Sequence, residues 1–145
     1  MSLTRYKRWK MSTHVPGPKG LILLVDDNEG TGFVVQTMLE LMEFEVQRAF
    51  TGRQGVEEAY GNSYVAVLMD IEMPDMDGID ATKAIRKNEQ DNQRAAVTII
   101  GISSHTSRGI QVLCQLAGMN HYLSTPFLME QLQEMLGSVD APAVN

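Results

Sequence analysis

From residue 21 onward, short apolar runs alternate with segments of helical period. The run LILLV (Leu21 to Val25) is continuously apolar, the pattern of a strand buried on both faces. The next segment, FVVQTMLELM, places Val34, Met38 and Leu41 at helical spacing, with Val35, Leu39 and Met42 beside them. EFEVQRA (Glu43 to Ala49) alternates as a half-buried strand does, and GRQGVEEAY (Gly52 to Tyr60) reads as a short helix. VAVLM (Val65 to Met69) is a third strand, IDATKAIRK (Ile79 to Lys87) a helix, and NEQDNQRA (Asn88 to Ala95) a polar loop. The β-branched run AVTIIGI (Ala96 to Ile102) predicts a fourth buried strand. RGIQVLCQLAG is a helix closed by Gly118, HYLS a short fifth strand, and FLMEQLQEML a last helix ended by Gly137. Five strand–helix alternations predict an α/β domain with a parallel sheet and helices on both faces.

In such a sheet ligands bind beyond the carboxyl ends of the strands, so the residues after each strand matter most. Asp26, Asp27 and Asn28 follow the first strand, Asp70 the third, Ser103 and Ser104 the fourth, and Thr125 and Pro126 the fifth. A lone acid in such a place is ordinarily a solvated loop or helix-capping residue. Three acids that all follow apolar strands are harder to dismiss. Two carboxylates about 5 Å apart repel by roughly 3 kcal/mol at an effective dielectric near 20, so the set calls for a cation. Carboxylates without His or Cys suit a hard ion, and few ligands with open positions suit Mg²⁺ better than Ca²⁺. An Asp beside Mg²⁺ can attack a phosphoryl group and become an aspartyl phosphate, and Ser103 could then hydrogen-bond a phosphoryl oxygen. On this reading Asp70 is a phosphoacceptor whose charge a metal offsets.

Charge and composition narrow the setting. Residues 1–20 hold five basic residues and no acid, whereas residues 21–145 hold seven basic and 18 acidic residues, a formal −11. HVPGPKG breaks structure just before the first strand, so residues 1–19 read as a basic leader or linker and residues 138–145 as a frayed tail, flanking a domain over 20–137. The acidic body argues against direct nucleic-acid binding. The first twenty residues lack the apolar h-region of a signal peptide, and the longest apolar run is too short for a membrane span. The single cysteine, Cys114, reads as a small core residue, and a reducing cytoplasm is the expected setting.

The segments LILLVDDNEG, VLMDIEMPDMDGIDATKAIR, TIIGISS and MNHYLSTPF together resemble the receiver domain of two-component response regulators and hybrid histidine kinases. The resemblance implies a flavodoxin-like (βα)5 fold with a five-stranded parallel sheet of order 2-1-3-4-5. It implies that Asp70 is the phosphoacceptor and that Asp26 and Asp27 hold Mg²⁺, with the backbone carbonyl of Glu72 as a further ligand. By the same resemblance Ser103 is the switch hydroxyl, Tyr122 the aromatic that follows it, and Pro126 the proline of a cis peptide. A histidine kinase or histidine phosphotransfer protein would dock near Asn28 and the first helix. Output or homodimerisation would use the fourth helix, the strand with Tyr122 and the helix from Leu128 to Leu136. The wording of DIEMPDMDGIDATKAIR leans toward hybrid kinases.

Three positions depart from the family's pattern. Thr125 stands where the family has lysine before the proline. Gly30 and Gly32 lie at the start of the first helix, where an interior glycine costs about 0.5–1 kcal/mol. Glu43 occupies a turn where the family has glycine, and a left-handed backbone there costs roughly 1–2 kcal/mol. These departures leave a second reading, a degenerate receiver that acts as an interaction module without phosphate. A phosphatase with an Asp nucleophile fits less well, because the second Asp that such enzymes need two residues on is replaced by Glu72. Acyl transfer fits less still, since Ser103 and Ser104 lie in no G-x-S-x-G elbow. His105 and His121 read as surface residues.

Overall fold

The computed structural model describes residues 19–105, 107–137 and 139. The basic leader and the tail expected at the two ends lie outside the described residues, apart from Lys19 and Val139. Among the described residues five strands and five helices alternate: β1 (Leu21–Val25), α1 (Glu29–Leu41), β2 (Glu45–Ala49), α2 (Gly52–Gly61), β3 (Ala66–Asp70), α3 (Gly78–Asp91), β4 (Thr98–Ser103), α4 (Arg108–Ala117), β5 (His121–Ser124) and α5 (Met129–Leu136). All strand pairs are parallel, in the order β2-β1-β3-β4-β5.

The central strands are apolar throughout because helices cover both sheet faces. On one face Ile22, Leu24, Leu68 and Ile100 pack with Val35 and Leu39 of α1 and Leu132 and Leu136 of α5. On the other, Leu23, Val25, Val67, Met69 and Ile99 pack with Ala81, Ile85 and Cys114. Cys114 is buried among apolar neighbours, as its surroundings in sequence suggest, and burial raises its thiol pKa. Four helices begin on a side-chain cap. Asn28, Thr51, Asp77 and Ser107 each accept from an amide three residues on, which satisfies a donor that the helix itself leaves open.

Several boundaries differ from the sequence expectation. In α1 the buried row is Val35 and Leu39, continued by Met42 at the C-cap; Val34 and Leu41 of the neighbouring row are 53% and 70% exposed. Asn88 to Asp91, expected as loop, continue α3, because Glu89 is held inside by Arg86 (2.9 Å) and accepts from the Val97 amide at 2.9 Å. β3 runs one residue further, so that Asp70 itself ends the strand. β4 starts later, at Thr98, and Ser103 is its last, buried residue. β2 starts at Glu45 and α5 at Met129. The αL turn foreseen at Glu43 is present, with φ 73°, and Gly118 closes α4 with φ 111°.

Candidate functional site

The parallel register brings the carboxyl ends of β1, β3 and β4 level. Val25 pairs with Met69, so Asp26 and Asp70 follow on neighbouring strands; Asp70 in turn pairs with Ile102, one residue before Ser103. Asp26, Asp27 and Asp70 each bring a carboxylate oxygen to within 4.8 Å of the others. This is the crevice at which strand order reverses between β1 and β3, the ligand site of doubly wound sheets.

Each acid is set differently. Asp26 is buried and accepts from the Asn28 amide (2.8 Å) and the Thr31 hydroxyl (3.1 Å), so the first turn of α1 fixes it. Asp27 is exposed. Asp70 is partly buried and accepts from the Glu72 amide at 3.2 Å. Burial and the neighbouring charges of Asp26 and Asp27 push its carboxyl up to about 7, against the pull of the Glu72 amide. The close approach of α3 to β3 depends on Gly78, where a Cβ would fall 2.8 Å from Ile71 Cα and against the Asp70 carbonyl.

The hydroxyl side is tied to a second carboxylate. Ser103 Oγ donates to Glu72 Oε2 at 2.8 Å and accepts from the His105 amide at 2.9 Å. His105 Nδ1 pairs with the same Glu72 oxygen, and the Tyr122 hydroxyl donates to the His105 carbonyl. Partial burial alone would raise the Glu72 carboxyl, but the bonds from Ser103 and His105 hold it below its ordinary value. Thr125 is exposed, its amide donates to the Ser103 carbonyl at 2.8 Å, and the Thr125–Pro126 peptide is cis. The structure therefore gathers Asp26, Asp27 and Asp70 in one cluster and puts Ser103, Glu72 and Tyr122 in a chain beside it. His105 and His121 are exposed, as the sequence suggests.

Sequence reasoning credited Glu72 with a backbone carbonyl and missed its side chain, which is the hub of that chain. It also missed Asn28 and Thr31 as supports of Asp26, although an Asn two residues past the acid was a visible capping signal.

A parallel 2-1-3-4-5 sheet with its acids gathered at the switch point defines a doubly wound α/β domain with a candidate ligand crevice. Comparison with known proteins narrows the class. Residues 22–137 match the family described as response regulator receiver domain, and the chain belongs to it. The sensor protein GacS of Pseudomonas syringae pv. syringae is 34% identical over 115 residues, which is 79% of this chain and 13% of that protein. BarA of Escherichia coli strain K12, a signal transduction histidine-protein kinase, is likewise 34% identical over 115 residues, covering 79% of this chain and 12% of its own. The chain thus spans about an eighth of these curated relatives. Among solved structures, the receiver domain of the sensor histidine kinase PA1611 from Pseudomonas aeruginosa PAO1 superposes with TM-score 0.72 at 37% identity, over 81% of this chain and 93% of that one. That structure has a magnesium ion coordinated in its active-site cleft. The family is a signalling module rather than a free-standing enzyme, and no helix among the described residues is long and apolar enough to cross a membrane.

Proposed function

We propose that this receiver domain, with bounds at about residues 20–137, accepts a phosphoryl group on Asp70 and thereby changes its contacts with partners. One observation carries the reading: Asp70 ends the central strand within 4.8 Å of Asp26 and Asp27, in a crevice open to solvent. An oxygen of the Asp70 carboxylate forms the bond to phosphorus while the bond from phosphorus to the donor's leaving nitrogen or oxygen breaks, and the leaving group takes the electron pair. The donor class is the phosphohistidine of a histidine kinase or phosphotransfer protein, in keeping with the kinases that resemble this chain.

Three carboxylates with no softer ligand among them fit a hard divalent cation. Asp27 and Asp70 would hold Mg²⁺, with Asp26 binding directly or through water and the Glu72 carbonyl as a further oxygen. Bound there, the ion supplies positive charge that offsets carboxylate repulsion and the charge of an incoming phosphoryl group. The chain's own part is orientation. Asn28 and Thr31 fix Asp26, and the Glu72 amide fixes one Asp70 oxygen. Ser103 is one strand away; to donate to a phosphoryl oxygen it must leave Glu72, and its movement would disturb the bond it accepts from the His105 amide, whose carbonyl holds Tyr122. Docking near Asn28 and α1, and output or homodimerisation through α4, β5 and α5, complete the reading.

Incubation with acetyl phosphate and Mg²⁺ tests it. Acid-labile phosphate should appear on the wild type and be abolished in Asp70→Asn; equal labelling of the variant would overturn the assignment. The second reading, a receiver that signals without phosphate, draws on neutral Thr125 and predicts no labelling of the wild type.

A further inference from the structure

Arg48 is the penultimate residue of β2, and its side chain is buried. Its Nη2 donates to the main-chain carbonyl of Asp26 at 3.2 Å, and its guanidinium carbon lies 4.6 Å from the centroid of the Phe50 ring. Room for it is made by Gly32, where a Cβ would stand 2.5 Å from that same carbon. A glycine that weakens the first helix is thereby explained, because any side chain at residue 32 would occupy the space that the guanidinium fills. A buried cation is costly unless charge or hydrogen bonds face it. Here the hydrogen bonding is incomplete, since Arg48 Nε has no partner among the described residues. The guanidinium is held at the main chain of Asp26; desolvation lowers its pKa, while the charges of Asp26 and Glu29 act from farther off to raise it. On the β5 side of the crevice the residue before Pro126 is the neutral Thr125.

We infer that Arg48 is the resident counter-cation of the acidic crevice, a positioning residue that reaches Asp26 from the β2 side and is seated there by Gly32 and Phe50. It balances part of the charge of Asp26 before any ion or phosphoryl group arrives, and holds the β1 end from which Asp26 and Asp27 project. The inference concerns the same site as the proposed function, but neither metal nor phosphate is needed to test it.

The alternative is a purely structural tie, in which Arg48 only fastens the Asp26 carbonyl and packs on Phe50. A double-mutant cycle separates the two. Urea unfolding in EDTA is measured for the wild type, Arg48→Met, Asp26→Asn and the pair. The main-chain bond to residue 26 and the Phe50 contact are the same in either background, so a structural tie costs the same with or without the Asp26 charge. A counter-cation costs more where that charge is present, and the unfolding equilibrium should shift roughly five- to tenfold further in the Asp26 background. Effects that multiply to within twofold would overturn the inference. Should Arg48→Met fail to fold, Gly32→Ala displaces the guanidinium while keeping the residue, and the same cycle with Asp26→Asn decides. Arg48→Lys, which keeps the charge and loses the planar fork, should retain the coupling; its loss would show a hydrogen-bonding role instead. If the wild type takes no phosphate, the functional reading falls, while the cycle still decides the role of Arg48.

Discussion

Replacing Asp70 by asparagine should stabilise the metal-free domain, and the gain should depend on pH. The side chain keeps its shape and its acceptor for the Glu72 amide, but loses a charge that burial, Asp26 and Asp27 all oppose. Its carboxyl stands at about 7 in the fold against an ordinary 3.8. Below the lower value both states carry the proton. Between the two values the unfolded chain has released it and the folded protein retains it, so the folded state binds more protons and stability falls as pH rises. Above the higher value the penalty is complete. At about 1.36 kcal/mol per pH unit it reaches at most ~4 kcal/mol. Asp70 is only partly buried, so solvent screening reduces this to about 1–3 kcal/mol. Urea unfolding in EDTA, followed by circular dichroism, should find Asp70→Asn more stable by that amount at pH 8 and by a small fraction of it at pH 4.5. Equal stability at pH 8, or a gain that does not change with pH, would refute the reasoning.

The other predictions concern single contacts. Asp27→Ala should weaken Mg²⁺ binding at least tenfold by NMR titration, since one ligand and one charge are lost. Glu43→Gly should stabilise the protein by about 0.5–1 kcal/mol in urea, because glycine relieves the φ of 73° but is freer when unfolded; a loss of stability would contradict this. Glu72→Ala should free Ser103 and His105 and move the ring resonances of Tyr122, with little change in stability because the Glu72–His105 pair is exposed. Unmoved Tyr122 resonances would break the proposed chain. Thr125→Lys should raise the rate of labelling by acetyl phosphate and enlarge the phosphate-dependent shifts at Tyr122. No change in either, with no labelling of the wild type, would favour the degenerate receiver.

What could be read from sequence was whatever periodicity and strand ends record. The unbroken runs LILLV and VAVLM record the central strands, and the acids just past them mark the crevice. The phase of α1 was not legible, because two adjacent apolar rows share its spacing and only packing against Ile22 and Leu24 selects Val35 and Leu39. The last turn of α3 was hidden because Glu89 is a polar residue satisfied inside, and polarity in sequence reads as loop. Arg48 was missed for a related reason: in an alternating edge strand a cation is taken to point outward. Its one trace was Gly32, an unfavourable helix residue whose purpose lies across space rather than along the chain.

The helix α4 turns only Cys114 and Ala117 fully inward, while Val112, Leu113 and Leu116 face solvent, and Gly109 sits in its first turn. Burial of two small side chains, with Ile110 only partly covered, removes little apolar area from water, and so anchors this segment less firmly than Val35 and Leu39 anchor α1. Free energy of local opening follows such anchoring. The amides of α4 should therefore exchange with deuterium well before those of β1 and β3, in a sub-global opening that leaves the sheet intact. Such an opening would let α4 change its contacts while Ser103, the last residue of β4, keeps its place in the sheet.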